Sequence, residues 1–520
     1  MSRFHLCLIL LLAAPIGTAF AAPGDTELIS VTADGSKAAG NSDDLVTAIS
    51  TDGRFVAFAS LATNLVANDT DGVEDVFVRD LTTGVTERTI AGGDDFAMSG
   101  DGRYIVVASG GIFVYDRQTG KTDRVDVSST GEVANKLSLE PTISGNGRYV
   151  AFISEATNLV PNTNPLYDGV FLRDRQTGTT TRINITSTGQ QGNGFSATRP
   201  GISADGRYVA FGSDATNLVP NVTSGLTNVY VRDRQLGQTV LVSTDSAGVP
   251  GNLHSNDPAM SADVSHVCFW SSASNLVVND TNFVPDIFVH DLATGQTRRA
   301  DVASDGTETS AGAEACALSS SGRYVVFMST GSDLVSGDSN DLLDIFWHDM
   351  QTGKTERASV ATNGAQANGQ NLAPAISGDG QLVSFVSAAR NLSAKDSNHT
   401  EDVFAHVPGG PGTGPETVGY TLRPTAMTFG TAPVGSSSIR NFFLKNTGNV
   451  ALPITSIALS GSNADQFIMV SFCGSSVDVS VTCRIRIYFR PTSVGHKAAQ
   501  LTVVAGSKPA RVRNITGMGQ

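Results

Sequence analysis

A repeated unit of 46–59 residues runs along most of this 520-residue chain and decides what it can fold into. Each copy has a short apolar strand, a tight turn of the Asp-Gly type and a second strand resembling RYVAF. A period of this size with four strand-like segments is typical of β-propeller blades. The seven copies begin near Ile49, Ala97, Ile143, Ile202, Met260, Leu318 and Ile376.

The outer strands of the repeats indicate how the ring closes. Third strands follow in all seven copies, but a fourth strand follows in only six. The seventh copy runs instead into a Pro/Gly-rich segment, and the segment TELISV at 26–31 supplies the missing strand. We therefore predict an all-β fold, in which a seven-bladed propeller over 22–407 is closed by its N-terminal strand, because closure removes exposed sheet edges.

The N-terminus has the pattern of an export signal. Arg3 precedes the apolar segment LCLILLLAAPIG, and Ala19-Phe20-Ala21 matches an A-x-A cleavage site. The apolar run is too short to span a bilayer. We predict a signal peptide at 1–21, export to the periplasm, the cell surface or the medium, and no membrane insertion.

The composition fits many short strands and excludes one class of partner. Charged residues make up 16% of the chain, glycine contributes 54 residues, and the formal net charge is −14. An acidic chain of this kind is repelled by phosphate backbones and by anionic membrane surfaces. Nucleic acid is therefore not an expected partner.

Chain direction sorts the loops of the repeats onto two faces. The tight turns between strands one and two and between strands three and four share one face, whereas the long loops share the other. Loops held by a rigid scaffold commonly carry function. We therefore expect any binding site on the long-loop face or at the mouth of the central channel.

An acidic pattern recurs in the long loop between strands two and three. Oxygen-rich loops of this kind bind hard cations such as calcium. Alternatively, Asp and Asn side chains bond to their own backbone and shape the loop, which is the favoured interpretation because the first ligand position of known calcium loops is not acidic here. The candidate ligands are Asp69, Asp71, Asp75, Asp280, Asn282, Asp286, Asp338, Asn340, Asp344, Asp396, Asn398 and Asp402.

No pattern of catalytic residues stands out. His290, His348 and His406 share one repeat position, but they belong to successive blades, and packed sheets about 10 Å apart cannot bring three nitrogens to one zinc ion. The chain also lacks the short motifs of nucleophilic hydrolases, zinc peptidases and phosphate-binding loops. We therefore predict no catalytic residues and a protein that is not an enzyme.

A second β-domain follows the linker at 408–420. Residues 421–520 contain about seven strand candidates, the number found in an immunoglobulin-like sandwich. Cys268 and Cys316 belong to adjacent repeats, and we prefer to interpret each as a small buried apolar residue over the alternative of a second bridge.

Two resemblances to known families extend these predictions. The recurring pattern DGRYVAF, DVFVRDRQTG and TRV over about 26–407 resembles the WD-like propeller repeats of the TolB family, which implies the fold and a bacterial source. The motifs FGTAPVGSS, LKNTGNVALPI, CRIRIYFRPTSVG and ITGMG resemble the choice-of-anchor D type, which is related to ASH-like sandwiches. That second resemblance implies a disulfide between Cys473 and Cys483, in keeping with export.

Together these features favour a non-catalytic binding or scaffold protein. Its propeller would recognise an envelope or extracellular protein or a surface glycan, and its sandwich would serve attachment or partner contact. The alternative is a propeller-based hydrolase or lyase that acts on polysaccharide with carboxylates near the channel mouth. No cofactor is expected apart from the calcium ion considered above.

Overall fold

The computed structural model divides into two compact units, Met1–Pro408 and Gly409–Gln520. The signal peptide predicted at 1–21 and most of the predicted linker lie outside the described residues. Among the described residues there is no helix whose length and apolar character would let it span a bilayer. The structure describes residues 22–42, 46–67, 69–93, 95–196, 198–222, 224–396, 400–409, 420–446, 452–473, 476–477, 482–506 and 510–520.

Four-stranded antiparallel sheets make up the first unit. Strand β1 (Thr26–Leu28) belongs to none of the six sheets that follow it in the chain. Sheet 1 is β2 (Thr47–Ile49), β3 (Phe55–Ser60), β4 (Asp75–Asp80) and β5 (Val85–Ala91); sheet 2 is β6 (Asp95–Met98), β7 (Tyr104–Ala108), β8 (Ile112–Asp116) and β9 (Lys121–Arg124). Sheet 3 is β10 (Ser138–Ile143), β11 (Tyr149–Ser154), β12 (Gly169–Asp174) and β13 (Thr179–Arg182); sheet 4 is β14 (Gly201–Ile202), β15 (Tyr208–Ser213), β16 (Asn228–Asp233) and β17 (Gln238–Leu241).

The remaining sheets of this unit follow the same plan. Sheet 5 is β18 (Ser255–Met260), β19 (His266–Ser271), β20 (Asp286–Asp291) and β21 (Thr297–Arg299); sheet 6 is β22 (Ala313–Leu318), β23 (Tyr324–Ser329), β24 (Asp344–Asp349) and β25 (Lys354–Arg357). Sheet 7 contains β26 (Asn371–Ile376), β27 (Val383–Ser387) and β28 (Asp402–His406), and its fourth strand is β1. Repeated four-stranded sheets of this kind are the units of β-propellers.

Each tight turn is held by the residues that the repeat contributes to it. In sheet 1, Ser50 Oγ donates to Asp52 Oδ1 at 2.6 Å and accepts from the Phe55 N–H at 2.9 Å. Gly53 has a φ of 72°, a left-handed conformation that favours glycine. Polar side chains therefore satisfy the turn's backbone, as expected for Asx-type turns.

An ion pair joins the second and third strands of five sheets. In sheet 1, Arg54 forms two hydrogen bonds to Asp80, at 3.1 and 2.6 Å, and its guanidinium lies over the Phe55 ring. The repeated Arg after the turn and the Asp that ends the third strand are thus partners in a bidentate pair. The other four pairs are Arg103–Asp116, Arg148–Asp174, Arg207–Asp233 and Arg323–Asp349.

Stacked aromatic pairs form much of the core of the first unit. Phe58 and Phe77 lie opposite each other on β3 and β4, with ring centroids 5.9 Å apart and no exposed surface. Such pairs bury large apolar areas and add specific ring contacts. Equivalent pairs are Phe152–Phe171, Phe211–Tyr230, Phe269–Phe288, Phe327–Phe346 and Phe385–Phe404.

The first and last sheets contact each other. β1 pairs antiparallel with β28, with Thr26 opposite His406. Each first strand contacts the first strands of its two neighbouring sheets, and β2 contacts β26. Val56 and Phe58 share a buried cluster with Val386 and Val403 of sheet 7. The seventh sheet is therefore assembled from both ends of the unit.

Two sheets enclose one core in the second unit. One sheet has the order β29–β31–β35–β33 and the other β30–β37–β36–β32–β34. Phe467 and Phe489, with ring centroids 4.9 Å apart, lie at the centre of this core. A 3-10 helix spans Ala464–Gln466. The strands are β29 (Tyr420–Arg423), β30 (Ala426–Ala432), β31 (Ser438–Asn446), β32 (Leu452–Ser460), β33 (Phe467–Ser471), β34 (Ser476–Val477), β35 (Thr482–Phe489), β36 (Gly495–Ala505) and β37 (Arg511–Gly519).

The structure contains two disulfides. One joins Cys473 to Cys483. The other joins Cys268 to Cys316, so our interpretation of these two residues as unbridged was wrong. β19 and β22 pack against each other across neighbouring sheets and bring the two Cα atoms to 6.4 Å, within the range that a disulfide spans.

Candidate functional site

The recurring acidic residues of the long loops lie in what we call the rim clusters, at the loop that precedes each third strand. In sheets 1, 5, 6 and 7 the third strand begins with an Asp that is completely buried. These four residues are Asp75, Asp286, Asp344 and Asp402. Because a buried carboxylate needs a compensating partner, each cluster is defined by what faces this Asp.

In sheet 1 the partner is an arginine from the outer strand. Arg88 Nε lies 2.7 Å from Asp75 Oδ2, and its Nη2 lies 2.7 Å from Asp71 Oδ2. Its Nη1 is 3.6 Å from Asp69 Oδ1. One guanidinium therefore bridges all three of the predicted ligands. Arg88 also keeps the pKa of Asp71 below its ordinary value through their hydrogen bond.

Sheet 5 repeats this arrangement with more acidic groups. Arg299 lies 3.2 Å from Asp280, 3.5 Å from Asp286 and 2.5 Å from Glu308. Asn282 donates to Asp286 at 2.9 Å. A fourth carboxyl group, that of Asp301, accepts the Ile287 N–H and has no exposed surface. Burial, and then the neighbouring Asp286, raise the pKa of Asp301 well above its usual range.

In sheet 6 neutral groups replace two of those acids. Arg357 Nη1 is 3.2 Å from Asp338 and 3.4 Å from Asp344. Gln366 and Ser359 donate to these carboxylates at the positions that Glu308 and Asp301 occupy in sheet 5. Asn340 donates to the backbone carbonyl of Ala367 at 2.8 Å. This cluster therefore combines one guanidinium with neutral hydrogen-bond donors.

Sheet 7 differs because β1 supplies its outer strand. Leu28 stands where the other three clusters have arginine, and Ser30 Oγ donates to Asp402 at 2.7 Å. Asp396 is buried, and Asn398 lies outside the described residues. The structure therefore brings the predicted carboxylates of sheets 1, 5 and 6 together around an arginine. In the described part of sheet 7, Leu28 takes the position of that arginine.

The arginines bear on the calcium prediction because they already pair with the candidate ligands. Carboxylate oxygens of Asp69, Asp71 and Asp75 lie within 4.8 Å of one another, a spacing that a cation could bridge. The Arg88 guanidinium already supplies positive charge to all three. Calcium binding here stays a prediction, and it would require Arg88 to move. Sequence reasoning overlooked this arginine, although T-E-R at 86–88, T-R-R at 297–299 and T-E-R at 355–357 recur in the three outer strands.

A second group of charged residues lies on the first strands. Arg199, just before β14, forms a salt bridge with Asp95 of sheet 2 and lies 3.4 Å from Glu140 of sheet 3. It also donates to the carbonyl of Phe96 at 2.9 Å. Because sheets 2 and 4 are not neighbours in the chain, this contact shows that the first strands face a common central space. We call the space the channel.

Two further carboxyl groups belong to the same space. Burial raises the pKa of Asp257, on sheet 5, and the charge of Glu314, on sheet 6, raises it further. Burial also raises the pKa of Glu140, with Asp95 and Asp257 adding to the effect and Arg199 opposing it. Within the described residues, Asp257 and Glu314 make no ion pair. The channel therefore holds an excess of negative charge.

Backbone bulges help to form this wall. Glu140 and Asp257 have φ values of 53° and 51°, and the strand register shifts at both positions. Bulges of this kind redirect side chains. Ser138, which begins β10, pairs with Ser154, where the long loop of sheet 3 starts. The acidic residues therefore lie toward the long-loop end of the channel.

The three histidines have structural partners. His290, His348 and His406 are buried, and each bonds through Nδ1 to a threonine of the outer strand at 2.8–2.9 Å. In sheets 1, 3 and 4 an arginine contacts the equivalent threonine, as Arg79 does with Thr86 at 2.8 Å. These histidines thus replace arginine in a repeated contact.

No family model matches the chain, and no curated protein matches it. Among solved structures, it is similar to an oligogalacturonate lyase in complex with manganese, at 13% identity over 75% of this chain and 98% of that one, with a TM-score of 0.44. It is also similar to a protein assigned as TolB from Agrobacterium tumefaciens, at 17% identity, 62% and 93% coverage and a TM-score of 0.36.

A third similar structure is the β-propeller domain of the trilobed protease from Pyrococcus furiosus, at 10% identity, 67% and 90% coverage and a TM-score of 0.43. Similarities at this level carry no information about activity or ligand.

Proposed function

We propose that this chain is an exported, non-catalytic recognition protein. It consists of a seven-bladed propeller closed by its N-terminal strand, followed by an immunoglobulin-like sandwich of the choice-of-anchor D type. The pairing of β1 with β28 and the contact of β2 with β26 support ring closure. Two disulfides and the signal-like N-terminus support export to a bacterial envelope or beyond.

The acidic channel is the observation that carries this proposal. Asp257 and Glu314 place two carboxyl groups in a concave space where Arg199 is occupied by Asp95 and Glu140. A cleft lined by one sign of charge attracts the opposite charge more strongly than an open surface does. We propose that the channel receives a cationic group, such as a lysine or arginine side chain or an amino sugar, from an envelope protein or glycan.

Titration of the mature chain with tetralysine, followed by calorimetry, tests the channel. We expect saturable binding that falls at least tenfold in D257N/E314Q, because both carboxylates are lost. Glu132 is exposed on an outer loop, so E132Q is the matched control and should bind as the wild type does. Equal binding by all three proteins, or preference for tetraglutamate, would overturn the proposal. A pull-down from envelope fractions with the same variants then looks for the natural partner.

A second candidate function is cleavage of a polysaccharide, either by hydrolysis or by the elimination reaction of a lyase. Burial raises the pKa values of Glu140 and Asp257, which is the direction that a general acid requires, and this favours the second candidate. Incubation with a panel of neutral and acidic polysaccharides tests it by release of reducing ends. Activity that is lost in E140Q would establish this function instead of recognition alone.

A further inference from the structure

One outward sheet face in the second unit exposes apolar side chains in three rows. Ile439 and Ile468 flank Tyr488, Val470 lies beside Arg486, and Phe443 lies beside Arg484. The side chains on the other side of these strands, among them Phe442, Ile485 and Ile487, form the buried core. The residues of this exposed face, which we call the arginine–apolar face, are Ile439, Phe443, Ile468, Val470, Phe472, Arg484, Arg486 and Tyr488.

The exposure of these side chains is high for a β-sheet. Ile439 is 54% exposed, Phe472 49%, Phe443 47%, Ile468 46% and Val470 39%. Scattered exposed apolar residues are normal, but a contiguous group of this kind marks an interaction site. The arginine–apolar face therefore groups five exposed apolar side chains of the second unit on one sheet face.

Positive charge dominates this face. The guanidinium carbons of Arg484 and Arg486 lie 4.7 and 5.5 Å from the Phe472 ring centre. Stacked in this way, a guanidinium keeps its N–H edge free for carboxylates. Arg423 is opposite Phe443 on β29 and adds a third cation. The described acid of this unit, Asp465, belongs to the 3-10 helix and not to this sheet.

The two units also differ in net charge, and the second unit is the positive one. Residues 409–520 contain ten Lys and Arg against three Asp and Glu, a net charge of +7, whereas the whole chain has −14. Residues 1–408 therefore carry −21. The total charge, which argued against nucleic acid and anionic membrane surfaces, conceals a basic unit.

We propose that the arginine–apolar face docks a folded acidic protein whose contact surface is apolar at its centre and bears carboxylates around it. Aromatic residues and arginine are enriched in the centres of protein interfaces, and lysine is depleted. A flat sheet face also suits packing against a second protein surface about 10 Å away.

Photo-crosslinking identifies the occupant. A benzophenone amino acid replaces Phe443 in the full chain as exported by its cell, and Val512, 45% exposed on β37 of the other sheet, is the control position. We expect one discrete protein adduct at 443, none at 512, and loss of the adduct in R484E/R486E. No adduct at 443, an adduct with lipid, or an adduct with a second copy of the chain would overturn the proposal.

Binding of the purified adduct partner to the full-length mature chain then gives the affinity. R484E/R486E should weaken binding at least tenfold, and R484K/R486K should fall between the two because it keeps charge but loses the stacked fork. Raising salt from 50 to 500 mM should weaken wild-type binding. Unchanged affinity in R484E/R486E with unchanged thermal unfolding would contradict the proposal. D257N/E314Q should leave this binding intact, which separates it from the channel.

Discussion

Asp301 is a buried carboxyl group whose neighbours are also acidic. It faces Asp286, and the single Arg299 is shared with Asp280, Asp286 and Glu308. Sheet 6 has Ser359 at this position, and Ser359 still contacts both the Ile345 N–H and Asp344. Sheets 5 and 6 therefore have the same fold with and without the extra carboxyl group. A substitution of Asp301 can thus measure what this carboxyl group contributes to the free energy of unfolding.

We expect D301S to stabilise the protein near neutral pH. The folded-state pKa of Asp301 is raised above 3.8. Its contribution to the free energy of unfolding is therefore most favourable below about pH 4 and is lost as the pH rises through the folded-state pKa. Serine removes this dependence and should raise the free energy of unfolding at pH 7 by roughly 1–3 kcal/mol. Urea unfolding at pH 5, 6, 7 and 8 measures it. S359D, the reverse exchange in sheet 6, should destabilise, and a D301S protein less stable at pH 7 would contradict the argument.

His348 and His406 have the opposite dependence on pH. Burial lowers the pKa of each to about 4 from 6.5. The unfolded chain therefore binds protons first, so stability is complete above pH 6.5 and is lost as the pH falls toward 4, by about 3 kcal/mol per histidine. H348R should remove the part of this loss of stability that is due to His348. The arginine can replace the histidine because Arg173 makes the same contact to Thr180 in sheet 3. Unfolding free energies at pH 7 and pH 4.5 distinguish the two proteins; equal acid sensitivity would contradict the assignment.

At the scale of elements, the strands were predictable and their side-chain partners were not. The repeats predicted the four-stranded sheets of the first unit and the N-terminal strand that joins the last of them, because hydrophobic alternation and turn residues act locally. The Arg88 cluster depends on register, since Arg88 lies opposite Phe77 and reaches Asp75 only across the strand pair. The channel residues depend on bulges at Glu140 and Asp257, which no alternation pattern shows.

Removal of the rim arginine tests whether it takes the place of a metal ion. In R88A the carboxylates of Asp69 and Asp75, which are almost fully buried, lose their cation, so we expect a loss of about 3–5 kcal/mol. Millimolar calcium should restore part of the stability of R88A, because the three carboxylates remain close together. In the wild-type protein, neither calcium nor a chelator should change the temperature of thermal unfolding.

The control for that experiment is R54A, which breaks the more exposed pair with Asp80 and should show no calcium rescue. Rescue in both variants would point to calcium acting elsewhere. A wild-type protein that melts several degrees lower in chelator would show that a resident ion contributes to the fold, and the guanidinium would then not be its substitute.

At the scale of the whole molecule, the first unit depends on a contact between residues almost 400 positions apart. Ser30 bonds to Asp402, Thr26 bonds to His406, and Ile29 donates its N–H to the Val403 carbonyl at 2.7 Å. Deletion of 22–31 should leave β28 as an open edge and expose the cluster shared by sheets 1 and 7. We expect unfolding at a markedly lower temperature, together with concentration-dependent aggregation.

A permutant separates closure from the simple loss of ten residues. Residues 22–31 are removed from the N-terminus and joined after Val407 through a short glycine–serine linker that lets the strand turn back beside β28. If pairing with β28 is what stabilises the ring, this permutant should recover most of the lost stability in thermal unfolding, whereas a permutant with the segment scrambled should not. Recovery by neither would mean that the N-terminal connection itself matters. Full stability of the deletion variant would show that the first unit does not need the pairing of β1 with β28.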